Sequence, residues 1–362
     1  MLGFCLGAAS LPGRRIALAI RRGWVGTSVG YGAGVIWIHE LFALAGALAP
    51  VFLLLATGFA LGRLKLISEA GNDSLDHLLY WVALPAQLLW ILGREDVRAG
   101  FDLRCLAAAA AAFALGLLVA WRLTRGVAPA RRGSLVNGVG RANGAFVGMP
   151  VIVLVAEAFP AEGAELRRAY AVLFACMVPL FNLGAVLAFR LAHTGQRPAW
   201  RDLAKAAQDI ARNPIILASV TGIALALFVP GGLAHPAAYA KPLVQALELI
   251  ALAAIPLALI ATGSRIDPAL LGHDRRALGW VTIAKLGLMP ALACGLGLAL
   301  GLSHAALTAA TVLMACPVAM ASVPMARMLG GDARLMAMII TATTALSPLT
   351  LFLWLVLLRA LS

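Results

Sequence analysis

The sequence predicts an all-α polytopic membrane protein, with ten transmembrane helices in two inverted five-helix repeats whose broken fourth and ninth helices cross. Three observations carry this expectation. Of 362 residues, 62% are hydrophobic and only 12% charged, with a mean hydropathy of +0.92, a balance that a water-facing surface of this size does not tolerate. From residue 41 onward ten apolar runs follow one another, each long enough to cross about 30 Å of hydrocarbon at about 1.5 Å per residue. Runs such as 105–120 are continuous rather than alternating, which selects helices over a barrel.

Taken in order, residues 1–40 read as an N-terminal extension. Arg14, Arg15, Arg21 and Arg22 bracket a weak apolar patch ahead of a glycine-rich run, so a disordered arm or an upstream translation start is expected there. The spans are then placed at 41–61, 74–92, 103–123, 135–159, 169–191, 214–229, 243–263, 277–302, 305–327 and 335–358. The basic residues sort onto alternate loops, around Arg63, Arg125, Arg201, Arg275 and Arg327. Cytoplasmic loops collect Lys and Arg, so those loops face the cytoplasm and both ends of the ten-span core face outward, as in a bacterial inner-membrane protein. The net charge of +13 is therefore topological, and no nucleic-acid partner is expected; the lipid bilayer is the partner it implies. Five cysteines without paired spacing lie mostly inside apolar runs and predict no disulfide, no metal and no cofactor.

The longest inside loop divides the chain into a first repeat at 41–191, a linker at 192–212 and a second repeat at 213–362. Five spans per half is an odd number, so the halves must be inverted. The prolines agree. ValAlaLeuPro85 in the second span is echoed by AlaAlaIlePro256 in the seventh, and GlyMetPro150Val in the fourth by AlaCysPro317Val in the ninth.

The candidate site is the stretch 137–155, which holds Gly138, Gly140, Gly144, Gly148, Asn137, Asn143, Arg141 and Pro150 where Leu and Val are expected. Proline lacks an N–H and collides with the carbonyl four residues before it, so the fourth span is expected to break at Pro150 and the ninth at Pro317. The half-helices beyond the breaks would present two N-termini to each other in mid-membrane, each with unpaired N–H groups and about half a positive charge, an arrangement that suits an anion. On this reading the site tolerates loss of Arg141 better than loss of the break at Pro150. Arg141 is read as part of the site, with snorkelling to the surface as the alternative, and Lys285 divides evenly between the same two roles. Asn143 is a candidate amide donor to a carboxylate, with Asn137 on the face of Arg141, whereas Asn182 is read as a helix-to-helix hydrogen bond. Asp332 is expected to cap the last helix rather than to act as a functional carboxylate. Thr341, Thr343, Thr344 and Ser347 are weaker candidates for lining a path.

Ten spans in inverted halves, Arg141-x-Asn143 followed by Gly148-x-Pro150, Pro317 in the ninth span, and Gly330-Gly331-Asp332 before a Thr/Ser-rich last span resemble the auxin efflux carrier family and its bacterial malonate-transporter-like members. The resemblance implies a secondary transporter of small organic anions, a mono- or dicarboxylate, working by an elevator-like cycle. It places the substrate at Asn143, Gly148, Pro150 and Pro317, with Val151 and Val318 beside the two prolines. It also implies a scaffold of spans 1, 2, 6 and 7, often a homodimer. The third span has no internal acid, which departs from relatives that place a proton-linked role there. The competing reading is a sodium-coupled symporter of the bile-acid/sodium type. A membrane-embedded enzyme is disfavoured because the six histidines lie near span ends without a catalytic motif, and a sensor because no segment is long enough for a soluble signalling domain.

Overall fold

The computed structural model describes residues 33–94, 101–194, 208, 211–229, 232–272 and 274–361. Residues 1–32 of the expected N-terminal extension and nearly all of the expected linker at 192–212 lie outside the described residues. The chain divides into a leading unit, residues 1–42, and a main unit, residues 43–362. The described part of the leading unit is the start of helix α1.

The helices are α1 (Ala33–Arg63), α2 (Glu69–Leu78), α3 (Leu84–Arg94), α4 (Leu103–Leu123), α5 (Pro129–Gly140), α6 (Met149–Ala158) and α7 (Pro160–Thr194), then α8 (Pro214–Phe228), α9 (Lys241–Ser264), α10 (Arg275–Ile283), α11 (Met289–Ala299), α12 (His304–Ala315), α13 (Ser322–Met328) and α14 (Ala333–Ala360). Among the described residues, seven stretches are long and apolar enough to cross a membrane, and shorter apolar helices stand at Gly144–Ala158, Pro214–Phe228 and His304–Ala315. The third expected span, 103–123, coincides with α4. The fifth was expected too short, since α7 starts directly after the fourth and runs on to Thr194. The fourth was expected to start at 135, yet its helix starts at Pro129, a proline placed at the first helical position where its missing N–H costs nothing.

Five-residue π-helical turns connect α2 to α3 (Leu79–Ala83), lead into α6 (Gly144–Gly148) and connect α10 to α11 (Ala284–Leu288). Each ends two residues before a proline: Pro85, Pro150 and Pro290. The carbonyl with which each proline ring would collide belongs to the central residue of its π turn, namely Trp81, Phe146 and Leu286. Widening the turn by one residue moves that carbonyl off the ring and lets the helix continue. The carbonyl of Leu286 is then satisfied from outside, by the Trp354 indole N–H at 2.9 Å. Trp354→Phe, which leaves that buried carbonyl without a donor, is expected to cost about 1–3 kcal/mol, read as a lower melting temperature in detergent. Pro50, Pro179, Pro256 and Pro348 lie within α-helices without such a turn.

Packing sorts the main unit into two sets of helices. In the first, α1 lies against α9 with glycines at the contact, Gly58 facing Ile260, Gly62 facing Ser264 and Gly263 facing Leu55. Ser264 Oγ donates to Asn72 Oδ1 at 2.6 Å, Arg265 pairs with Asp76 at 2.5 Å, and Arg94 pairs with Glu248 at 3.8 Å. Helix α8 packs along α3, and the Leu233 N–H reaches the Gly93 carbonyl at 2.8 Å. The second set holds α4–α7 and α10–α14. Arg131 of α5 pairs with Asp274 at the start of α10 and with Asp332 at the start of α14. At the opposite end Arg359 pairs with Glu162 at 3.4 Å, and Ser303 Oγ donates to Glu165 at 3.0 Å. Each of these ion pairs lies within one set. Between the sets, Phe146 packs on Leu79, Ala83, Ala254, Ala258 and Ala261, α7 lies against α3 and α8, and Tyr80 stands within electrostatic reach of Arg141.

Candidate functional site

The fourth and ninth expected spans are both interrupted, and the interruptions meet. Helix α5 stops at Gly140, Arg141 is extended (φ −77°, ψ 121°), and its N–H still reaches the Asn137 carbonyl at 2.9 Å. Helix α12 stops at Ala315, and Cys316 is likewise extended. Ala142 and Val318 then form an antiparallel bridge, in which the Asn143 N–H donates to the Pro317 carbonyl at 2.8 Å. Two extended segments inside an apolar body would strand backbone donors and acceptors, and pairing them satisfies both at once. The bridge is buried, with Asn143 4% exposed and Val318 0%.

The neighbours fix this geometry. Asn143 caps the π turn that follows, its Oδ1 accepting the Phe146 N–H at 3.2 Å. The Val318 N–H donates to Thr343 Oγ1 of α14 at 3.2 Å, and the Tyr170 hydroxyl of α7 donates to the Gly144 carbonyl at 2.9 Å. Arg141 reaches across the crossing to Asn182 Oδ1 of α7 at 3.0 Å and Met325 Sδ of α13 at 2.9 Å. Asn182 thus ties α7 to the extended segment at Arg141 rather than helix to helix. Lys285, in the π turn between α10 and α11, is fully buried and donates to the Met314 carbonyl at the end of α12, at 3.2 Å. Asp332 is the expected cap, accepting the Leu335 N–H at 2.9 Å.

One expectation needs correcting. The fourth span breaks at 141–143 and not at Pro150, which sits in the first turn of α6 behind its π turn, with Val151 fully buried next to it. Pro150→Ala is accordingly expected to leave the crossing standing, at a cost below about 1 kcal/mol, with the melting temperature in detergent as the measurement. Pro317 does lie in a break, where its missing N–H demands no partner and its carbonyl serves the bridge. The helix face expected to be shared by Asn137 and Arg141 ends before Arg141, which has already left the helix.

The crossing gathers unpartnered polar groups. Asn137 Nδ2, Asn143 Nδ2, Ser322 Oγ and Thr344 Oγ1 are buried and have no hydrogen-bond partner within the protein. Ser322 opens α13, four residues beyond Val318, and Thr344 follows the Thr343 that holds Val318. Sequence reasoning missed Ser322 and Tyr170; a tyrosine within an apolar span was the one signal for the latter. A separate cleft of about 240 Å³, lined by Val119, Leu123, Val139, Trp280 and Ile283, is apolar and lies on the flank of α5. We place the candidate site at the crossing because its segments carry these unpartnered polar groups.

Residues 198–355, from the linker to the last turns of α14, match the family model described as Membrane transport protein. No curated protein matches the chain.

Proposed function

Through residues 198–355 this chain belongs to the auxin efflux carrier family of membrane transport proteins, and from that premise we propose that it is a secondary transporter which moves a small organic anion, a mono- or dicarboxylate, through the crossing of its two broken helices. One observation carries the reading: four buried polar groups without a protein partner stand on the segments that form or hold the bridge between Ala142 and Val318. Leaving a buried polar group unpaired costs about 1–3 kcal/mol, so their concentration at one place favours a polar ligand as the missing partner. Arg141 and Lys285 make that ligand an anion, while among the described residues no carboxylate is buried.

The division into two sets supports an elevator-like cycle. Each set is held internally by its own ion pairs and hydrogen bonds, while Phe146 presents an aromatic face to small apolar residues of the other set. Apolar contacts of this kind have little direction and can be exchanged for similar ones during a slide. In this reading α4–α7 and α10–α14 move as one body against α1–α3, α8 and α9, the two halves are inverted repeats, and the core has both ends outward in a bacterial inner membrane. The first set also offers Leu217, Val220, Leu249 and Leu252 as exposed apolar residues on α8 and α9, on which we place the homodimer contact.

Uptake of a panel of labelled mono- and dicarboxylates into proteoliposomes tests the reading. Asn143→Ala removes an unpartnered amide and a cap, and is expected to lower uptake of the preferred solute at least about tenfold, the effect of losing a hydrogen bond to a charged ligand. Undiminished uptake by a folded Asn143→Ala protein would place the site elsewhere, and no uptake of any member of the panel by the wild type would remove the organic-anion assignment.

A further inference from the structure

The crossing brings together four helix ends, and their backbone charges oppose one another. The start of the π turn and α6 and the start of α13 contribute the positive ends. The last turns of α5 and α12 contribute the negative ones. Helix α13 spans only seven residues, so its positive end is the weaker of the two. The backbone alone therefore leaves the crossing close to neutral, and side chains decide its sign.

At the end of α12 that decision falls to Lys285. The last carbonyls of a helix have no intrahelical donor, and a broken helix exposes them in mid-membrane. In transporters built on broken helices, such carbonyl ends are where a coupling cation is coordinated. Here the Lys285 ammonium is fully buried and donates to the Met314 carbonyl at 3.2 Å. The Val312 carbonyl is taken by the Cys316 N–H and thiol, both at 3.1 Å. Lys285 can reach this place because the π turn Ala284–Leu288 carries it to α12. No ion pair joins it to a carboxylate among the described residues, so its charge is opposed there only by the partial charge of the helix end.

We propose that Lys285 is the resident cation of the crossing: its ammonium holds, at the C-terminal end of α12, the position that a coupling sodium ion would take, and supplies the fixed positive charge that makes the site an anion site without an added ion. The inference rests on the anion-transport reading above and adds to it that binding is independent of sodium.

The test uses the purified full-length protein, its Lys285→Met and Lys285→Arg variants, and malonate and acetate as probes. Melting temperatures are recorded in sodium, potassium and choline chloride at one ionic strength, with and without probe. For the wild type the expected result is the same melting temperature in all three salts without probe, and the same probe affinity in sodium and in choline. Lys285→Met is expected to melt as cooperatively as the wild type and to lose at least tenfold in probe affinity, with Lys285→Arg recovering most of the loss. A merely structural lysine would leave the affinity of a folded Lys285→Met protein unchanged. Selective stabilisation of the wild type by sodium, sodium-dependent probe binding, or unchanged affinity in Lys285→Met would each overturn the proposal. The sodium comparison without probe reads on Lys285 even if Lys285→Met fails to fold. It also separates this proposal from the anion-transport reading, which falls instead if the wild type takes up none of the carboxylate panel.

Discussion

Gly148→Ala is expected to abolish transport and to cost about 3 kcal/mol of stability, the upper end for an overpacked core. A methyl group at this position would fall on the Tyr170 hydroxyl, well inside contact distance, and 2.8 Å from Cys316 Sγ. Neither neighbour can yield cheaply. Tyr170 is fully buried and its hydroxyl holds the Gly144 carbonyl at 2.9 Å, so moving the ring releases the first residue of the π turn. Cys316 is fully buried in the other extended segment, next to Pro317, so moving it strains the bridge directly. The methyl therefore acts on both halves of the crossing at once. Combining it with Tyr170→Phe removes the closest atom, and the double variant is expected to recover part of the lost melting temperature. If Gly148→Ala transports and melts as the wild type does, the crossing is not the tightly fitted device described here.

The second large effect lies in the first set of helices. Gly263→Ala would drive a methyl into the backbone carbonyl of Leu55, and Gly58→Ala into that of Ile260. Here the obstacle is main chain on both sides, so relief requires separating α1 from α9. Small residues are what allow helices in a membrane to approach so closely, and Gly58 and Gly62 stand four apart on the face of α1 that uses this. Each substitution is expected to cost about 3 kcal/mol or more, with a broadened thermal transition in detergent as the readout. A Gly58→Ala protein with an unchanged melting temperature would show that these helices are not in backbone contact.

The fold was legible where hydropathy and length decide it. Helix α4 was placed to the residue, and Pro317 correctly marked an interruption, since α12 ends at Ala315 and the chain passes through Pro317 in extended form. Pro150 misled for the complementary reason. The glycines at 144 and 148 that looked like further damage belong to the π turn that accommodates the proline, and the break moved upstream to Arg141. The close contacts of Gly58 and Gly62 went unread because a glycine pair in an apolar run shows neither its partner helix nor its facing. Ser322 and Thr344 were not distinguishable from other hydroxyls in the sequence, since being unpartnered is a property of the surroundings. Lys285 was equivocal for the same reason: whether a lysine some turns into a span snorkels or turns inward depends on what stands next to it, and that is the end of α12.

The π turns bear on how the helices are phased. One residue of an α-helix corresponds to about 100° of rotation, so the extra residue in each widened turn offsets the residue spacing of the faces before and after it by roughly that angle. The outward stripe runs on across the widened turn, with Arg276 and Ile283 exposed before it and Ala291, Gly295 and Leu298 after it, while Lys285 within it is buried. Removing a single residue from Ala284–Leu288 would restore regular winding at almost no change in length. It would leave the faces of α10 and α11 in their present directions, because the widened turn absorbs the residue that is removed. A deletion elsewhere in either helix acts instead as a rotation of about 100°, which makes angular register, as much as length or hydrophobicity, a quantity that the sequence of this protein has to maintain.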